Sequence, residues 1–195
     1  MLIEKLKNYK IILGSQSPRR KEILASMHIP FSVLVREIDE TIDDNIPANE
    51  AAEVIARKKM AAFTDLFLPD HVIITADTVV CLNNTLIGKP NGKPHALEIL
   101  KSLSGNMHLV YTGVCIRCGN HEISFTDISS VYFKPLTESE INFYIDTCKP
   151  FDKAGAYGVQ DWIGSVAIEK IIGSYHNIMG LPSCRVYDAL KQITV

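Results

Sequence analysis

The segment "HVIITADTVVCL", from His71 to Leu82, places the strongest constraint on how this chain can fold. Its run of β-branched residues is typical of a strand that is covered on both faces of a sheet. Asp77 interrupts the run, and a carboxylate there is costly to remove from water unless it is paired, hydrogen-bonded or metal-bound. Two interpretations of Asp77 taken alone stay open: a paired or bulged core aspartate, and a functional acid. Thr75 and Thr78 are candidate hydroxyl partners under both.

Strands and helices alternate along the chain, as hydrophobic periodicity and turn residues indicate. "KIILGS" predicts a strand that leads into the helix "PRRKEILASMH", which Ser17 caps and Pro18 opens. "MHLVYTGVCIRC" and "EISFTDISSVYF" predict a hairpin, and strands connected so closely cannot pair in parallel. We therefore predict an α/β fold of mixed α+β type, with a mixed sheet flanked by helices. The other predicted elements are a strand at "FSVLV", helices from about 47 to 67 and from 94 to 106, a helix capped by "TESE", and a second hairpin and closing helix near the end.

The composition describes an ordinary soluble protein, with 195 residues, 47% hydrophobic residues, 22% charged residues and a formal net charge of −2. It favours one domain over residues 1–195. Without a basic excess, stable nucleic-acid binding is not expected, so any anion binding must be local. No apolar run approaches the length of a bilayer span and the N-terminus lacks a signal pattern, so we expect a cytoplasmic protein without membrane contact. The odd number of cysteines, five, indicates reduced thiols.

Three cations stand at the start of the helix that follows Ser17: Arg19, Arg20 and Lys21. A helix start favours anions, because its exposed N–H groups and aligned peptide dipoles carry partial positive charge. The positive charges of these residues are therefore unfavourable next to the helix start and do not stabilise the helix. A phosphate group bound at this turn would supply the missing negative charge.

Other polar residues stand in apolar or glycine-rich settings. Lys59 lies within the apolar face of the helix from 47 to 67, where a buried ammonium requires an anion unless the side chain extends past the edge of the core. Lys89 in "LIGKPNGKP" follows a strand and a glycine, and taken alone it is a solvated loop residue. The loop "FDKAGAYGVQD" places Gln160 among small residues, which allow either a close approach to a ligand or a tight connection.

Taken together, these residues have the balance of charges that suits a polyphosphate bound with a divalent cation. The set is Arg19, Arg20, Lys59, Lys89, Glu40 and Asp77. The sequence contains neither of the common nucleotide fingerprints, GxxxxGKS/T and GxGxxG. The single "CIRC" is too weak a pattern to indicate zinc, and we interpret His108 and His176, each in a strand-like stretch, as hydrogen-bonded core groups.

The chain resembles the Maf family of nucleoside triphosphate pyrophosphatases over nearly its whole length. The resemblance rests on motifs in family order: "GSQSPRR", "EIDE", "ARKKMAAF", "TADTVV", "GKP", "HLVYTGV", "DKAGAYGVQ" and "GSYHNIMGLP". It implies hydrolysis of a nucleoside triphosphate between its α and β phosphates, with Mg²⁺ or Mn²⁺ required. It also implies a cytosolic homodimer related in fold to inosine triphosphate pyrophosphatases, with a long mixed sheet and two lobes around a cleft.

The same motifs imply roles for individual residues. Asp77 would be the catalytic proton acceptor, and Glu40 and Asp77 would serve the metal and the attacking water. The phosphate-binding residues that the resemblance implies are Ser15, Arg19, Arg20, Lys59 and Lys89.

The form "DKAGAYGVQ" resembles the branch that acts on dTTP and UTP, with modified pyrimidine nucleotides as further candidates. Arg19, Thr78 and Gln160 match the positions associated with this choice. The chain departs from the family pattern twice: Gly14 stands where alanine is usual, and Asp161 stands where glycine usually follows the glutamine. Aspartate at position 161 allows fewer backbone conformations than glycine would in the loop that would recognise the base. The alternative function is a regulator of septum formation that binds nucleotides or nucleic acid without hydrolysing them.

Overall fold

A computed structural model describes residues 1–43 and 45–194, and within them the strands form one seven-stranded sheet. The strands are β1 (Lys10–Leu13), β2 (Ser32–Val33), β3 (His71–Leu82), β4 (Thr85–Ile87), β5 (Met107–Cys118), β6 (His121–Phe133) and β7 (Ile168–Ile172). The helices are α1 (Leu2–Leu6), α2 (Pro18–Ser26), α3 (Ala48–Ala61), α4 (Lys93–Leu103), α5 (Glu138–Cys148), α6 (Trp162–Ala167), α7 (Tyr175–Met179) and α8 (Ser183–Ile193). None of these described helices is long and apolar enough to cross a bilayer.

The sheet contains both parallel and antiparallel pairs. Its order is β2-β1-β3-β5-β6-β7, and β4 pairs with β3 outside this path. Strand β1 runs parallel to β2 and β3, whereas β3 with β4 and β6 with β7 form antiparallel pairs. This arrangement confirms the predicted mixed sheet flanked by helices.

The chain divides into two compact units. The first comprises residues 1–77 apart from residue 44, Thr112–Asp127 and residues 180–194, and the second comprises Thr78–Tyr111 and Ile128–Met179. Strands β3, β5 and β6 therefore each contribute residues to both units. The assignment of residues 1–195 to a single domain stays a prediction.

In the first unit, helix α3 packs on the sheet through an apolar face. Its buried residues are Ala51, Ala52, Ile55, Ala56 and Met60. Gly113 of β5 permits the close approach, because a Cβ atom at this position would lie 2.2 Å from the backbone of Ala52 and of Glu53. The contact fixes α3 directly against the sheet.

In the second unit, His108 of β5 lies in an aromatic core. Its ring packs edge-to-face against Phe133 and Tyr157, with centroid distances of 5.1 and 5.3 Å. Its Nε2 lies 2.8 Å from the Tyr157 hydroxyl, which confirms the prediction of a hydrogen-bonded core histidine for His108. The same prediction is wrong for His176, which lies on helix α7 and is only partly buried.

Two sequence-based boundaries and one predicted hairpin are wrong. The helix predicted from about 47 to 67 ends at Ala61, because the chain leaves helical geometry at Phe63 and buries that ring in the core. The strand predicted at "FSVLV" is only Ser32–Val33, the two residues that pair with β1. The second hairpin, predicted near the end of the chain, does not form among the described residues. Ile168–Ile172 is a single strand there and pairs with β6.

Candidate active site

Arg20 at the start of α2 turns into the protein interior. The Ser17 side chain accepts a hydrogen bond from the Arg20 amide, which caps the helix without adding negative charge. The guanidinium donates from Nε to the Gly180 carbonyl at 2.8 Å and from Nη1 to the Ser15 hydroxyl at 3.1 Å. Burial lowers the pKa of Arg20, and the nearby Asp77 carboxylate opposes that shift. Arg20 is therefore a buried cation whose orientation is fixed from two sides.

Lys59 of α3 joins two carboxylates. Its Nζ lies 2.7 Å from Asp77 Oδ1 and 2.8 Å from Glu40 Oε1. The side chains of Lys59 and Asp77 are each 15% exposed, whereas that of Glu40 is 51% exposed. The structure thus gives Lys59 the anionic partner that its place on the helix requires. Both acids also act electrostatically on Arg20, so these four side chains form one charged cluster in the first unit.

Thr75 connects the strand and the helix that carry the central ion pair. Its hydroxyl donates to the Ala56 carbonyl of α3 at 2.7 Å and is fully buried. Asp77 stands two residues after Thr75 on the same face of β3, and Lys59 stands one turn after Ala56 on α3. Thr75, one of the two candidate hydroxyl partners of Asp77, is thus excluded as its donor, because the single hydroxyl proton goes to the Ala56 carbonyl and links β3 to α3.

Gly14 lies beside this contact. A Cβ atom at Gly14 would lie 2.9 Å from the Thr75 methyl carbon and 3.1 Å from the Phe63 ring. Glycine at this position thus leaves room for Thr75 next to Phe63.

The carboxylates of Glu40 and Asp77 suit a hard divalent cation. Both approach a single cationic nitrogen, which shows that the fold already brings two anionic oxygens around one positive centre. In the described part of the chain, no group of three or more His, Cys, Asp and Glu side chains forms a complete metal site. Mg²⁺ is commonly held by only one or two carboxylates, with substrate phosphates and water completing its octahedron. The donor set therefore fits such an ion when it arrives with a triphosphate.

Three predicted site residues belong to the second unit. Thr78 follows Asp77 on β3, and Lys89 is exposed in the loop after β4. The Gly155 amide donates to the Gly88 carbonyl at 3.2 Å, which holds the Lys89 loop to the loop that precedes Gln160. Gln160 lines a cleft of about 410 Å³, together with Ser165, Lys170 and Tyr175 among others.

Two features of the site were missed from the sequence. Gly180 supplies its carbonyl to Arg20 from 160 residues away, and only its place in the motif "MGLP" hinted at a role. Asp161 accepts a hydrogen bond from the Tyr144 hydroxyl at 2.7 Å and anchors the loop of Gln160. Neither contact has a local sequence pattern that would reveal it.

The family described as Maf-like protein matches residues 10–193. Among curated relatives, a protein of Bacteroides thetaiotaomicron named dTTP/UTP pyrophosphatase is 43% identical over 193 residues, which cover 98% of this chain and 100% of that protein. A protein of Phocaeicola vulgatus with the same name is 45% identical, with the same coverage of 98% and 100%.

Among solved structures, the Ham1 protein of Staphylococcus aureus is similar in fold, with a TM-score of 0.50 and 15% identity over 94% of this chain and 98% of that one. The similarity to Ham1 concerns the fold alone. The family match begins at β1 and ends in α8, and the full-length relatives are 43% and 45% identical in sequence. These findings show that this chain belongs to the Maf-like protein family.

Proposed function

We propose that this chain hydrolyses nucleoside triphosphates, dTTP and UTP foremost, to the monophosphate and pyrophosphate. The observation that carries the proposal is the ion cluster of Lys59, Asp77, Glu40 and buried Arg20, found in a chain whose full-length relatives are named dTTP/UTP pyrophosphatase. Buried cations suit a polyphosphate, and the paired acids suit the cation and water that its hydrolysis needs.

Asp77 is the proposed catalytic residue. A carboxylate beside the reacting phosphorus orients a water molecule and takes its proton as the phosphoanhydride bond breaks. Lys59 holds Asp77 in place and, with Arg20, offsets the negative charge that develops on the leaving pyrophosphate. A divalent cation held by Glu40 and Asp77 would supply further charge neutralisation at the phosphates.

The remaining roles belong to the same proposal. Ser15, Arg19 and Lys89 bind phosphate oxygens, and Arg19, Thr78 and Gln160 select the base. We also propose that the cation is Mg²⁺ or Mn²⁺ and that the enzyme acts in the cytoplasm as a homodimer. These assignments are supported by the family to which the chain belongs.

Pyrophosphate release from dTTP, UTP, CTP, GTP and ATP tests the proposal, with Mg²⁺, Mn²⁺ or EDTA in parallel. Release should be greatest from dTTP and UTP, and EDTA should abolish it. Asp77→Asn should lower kcat for dTTP by about a hundredfold or more, because it removes the proton acceptor.

A matched control is Asp188→Asn, which neutralises an exposed carboxylate paired with Lys191 at 3.0 Å in the first unit and should leave kcat unchanged. Equal release by the wild type and by Asp77→Asn would refute the assignment of Asp77. Nucleotide binding without any release by the wild type would favour the regulatory alternative.

A further inference from the structure

The side chain after Gln160 is held firmly in the second unit. Asp161 Oδ2 accepts the hydrogen bond of the Tyr144 hydroxyl at 2.7 Å, and its Oδ1 accepts one from Gln160 Nε2 at 3.1 Å. Lys153 Nζ lies 3.9 Å from the same carboxylate. The Asp161 side chain is only 18% exposed, so its position is set by these neighbours and not by water.

Gly158 makes room for this arrangement. A Cβ atom at Gly158 would lie 2.6 Å from Asp161 Oδ2 and 2.7 Å from Gln160 Nε2. The amide of Gln160 therefore folds back over Gly158, beside the carboxylate. The space is specific, because any larger residue at this position would displace both side chains.

The chemistry of a carboxylate fixes which way the Gln160 amide points. An ionised aspartate only accepts hydrogen bonds, whereas an amide has a donating nitrogen at one end and an accepting oxygen at the other. Gln160 must therefore turn its nitrogen toward Asp161, which directs its oxygen away from the carboxylate. Gln160 is one of the residues that line the cleft in this unit, so its amide oxygen is the group that it can offer to a ligand there.

An amide oxygen that faces ring position 3 of the base distinguishes the two kinds of pyrimidine. Uracil and thymine carry a donor, N3–H, at the ring position where cytosine carries an unprotonated acceptor nitrogen. A cleft of about 410 Å³ is within the usual size range of small-molecule sites.

We propose that Asp161 determines specificity by holding the Gln160 amide with its oxygen toward ring position 3 of the base, which favours uracil and thymine over cytosine. The inference rests on the proposed function, in which Gln160 contacts the base. It adds a positioning residue at the point where this chain departs from the family pattern.

Tyr144 determines which way an amide side chain at position 161 would face. The Gly158 amide donates to the Tyr144 hydroxyl at 3.1 Å, so the single phenolic proton is the one donated to Asp161. In the variant Asp161→Asn, the asparagine must therefore keep its oxygen toward Tyr144 and turn its nitrogen toward Gln160. Gln160 must then reverse, and it would present its nitrogen, a donor, to the base.

The test compares kcat/KM for UTP and CTP in the wild type and in Asp161→Asn. The ratio of UTP to CTP should fall by about tenfold or more, because one favourable hydrogen bond is lost for uracil and one is gained for cytosine. Asp161→Ala, which frees the amide without reversing it, should give an intermediate ratio. A general loss of stability would lower both values of kcat/KM and leave their ratio unchanged.

Two further variants isolate the role of Gln160. Asp146→Asn neutralises an exposed carboxylate paired with Lys93 in the same unit and should keep the wild-type ratio. In a Gln160→Ala background, Asp161→Asn should leave the ratio where Gln160→Ala sets it. The proposal is overturned if the wild type does not prefer UTP to CTP, or if Asp161→Asn keeps the wild-type ratio. Failure of the proposed function would look different, since no triphosphate would then release pyrophosphate.

Discussion

Lowering the pH from 7.5 to 5.0 should destabilise this protein through one buried side chain, His108. The residue is 1% exposed, and its Nδ1 has no hydrogen-bond partner within the described part of the chain. Its other nitrogen faces the Tyr157 hydroxyl, and the surrounding rings carry no charge to stabilise an imidazolium. Burial accordingly lowers the pKa of His108 from 6.5 to about 4.

The sign and size of the effect follow from the two pKa values. The unfolded chain binds a proton at His108 near pH 6.5, whereas the folded chain resists it until about pH 4. The contribution to stability is therefore fully present above pH 6.5 and is lost as the pH falls toward 4. Each pH unit in this window removes about 1.4 kcal/mol, so the change from pH 7.5 to 5.0 removes about 2 kcal/mol from the free energy of unfolding.

Urea unfolding at the two pH values measures this loss, with a pair of variants that differ only at His108. Tyr157→Phe keeps the buried histidine, and the double variant His108→Phe with Tyr157→Phe removes the titrating group without leaving the Tyr157 hydroxyl unpaired. The drop in unfolding free energy between pH 7.5 and 5.0 should be about 2 kcal/mol larger in Tyr157→Phe. Carboxylates titrate equally in both variants, so their effect cancels. Equal pH dependence in the two variants would refute the reasoning.

Two predictions concern the packing of α3. Thr75→Val keeps the side-chain shape but removes the hydrogen bond to Ala56, so kcat should fall about tenfold while the free energy of unfolding falls by only about 1 kcal/mol. Thr75→Ser keeps the hydroxyl and should retain kcat although it costs about 1 kcal/mol of stability; if activity instead follows stability, Thr75 does not position the ion pair. Gly113→Ala places a methyl group 2.2 Å from the backbone of Ala52 and should lower the free energy of unfolding in urea by about 3 kcal/mol. Gly88→Ala, where nothing lies within 4 Å, should change it by less than about 0.5 kcal/mol, and similar losses in both variants would contradict the packing argument.

Much of the secondary structure could be predicted because its causes lie within a few residues. Ser17 and Pro18 mark the start of α2, and Thr137 with Glu140 forms the capping box that opens α5. The β-branched run of β3 and the hairpin of β5 and β6 follow from alternation and turn residues. The end of α3 could not be predicted in this way, since the burial of Phe63 and not local propensity decides where the helix stops.

The residue types of the candidate site were visible in the sequence, but their pairings were not. The apolar setting of Lys59 and the β-branched setting of Asp77 each demanded a partner, and nothing local indicated that they would serve one another. Thr75 was one of two candidate hydroxyl partners of Asp77 and instead donates to the Ala56 carbonyl. The packing of α3 against the sheet determines both the ion pair and the hydrogen bond, because it decides which polar groups come within bonding distance of one another.

The sequence by itself determined where the strands and helices lie, which family the motifs resemble, and which charged residues lie in apolar segments where burial costs free energy. Those properties depend on periodicity, capping and the cost of removing charge from water, all of which act on neighbouring residues. Only the tertiary structure decided that Gly180 holds Arg20, that Lys59 joins Asp77 to Glu40, and that Tyr144 holds Asp161. Such contacts depend on side-chain geometry after packing, and the same residues in the same order would allow other pairings if the helices lay differently on the sheet.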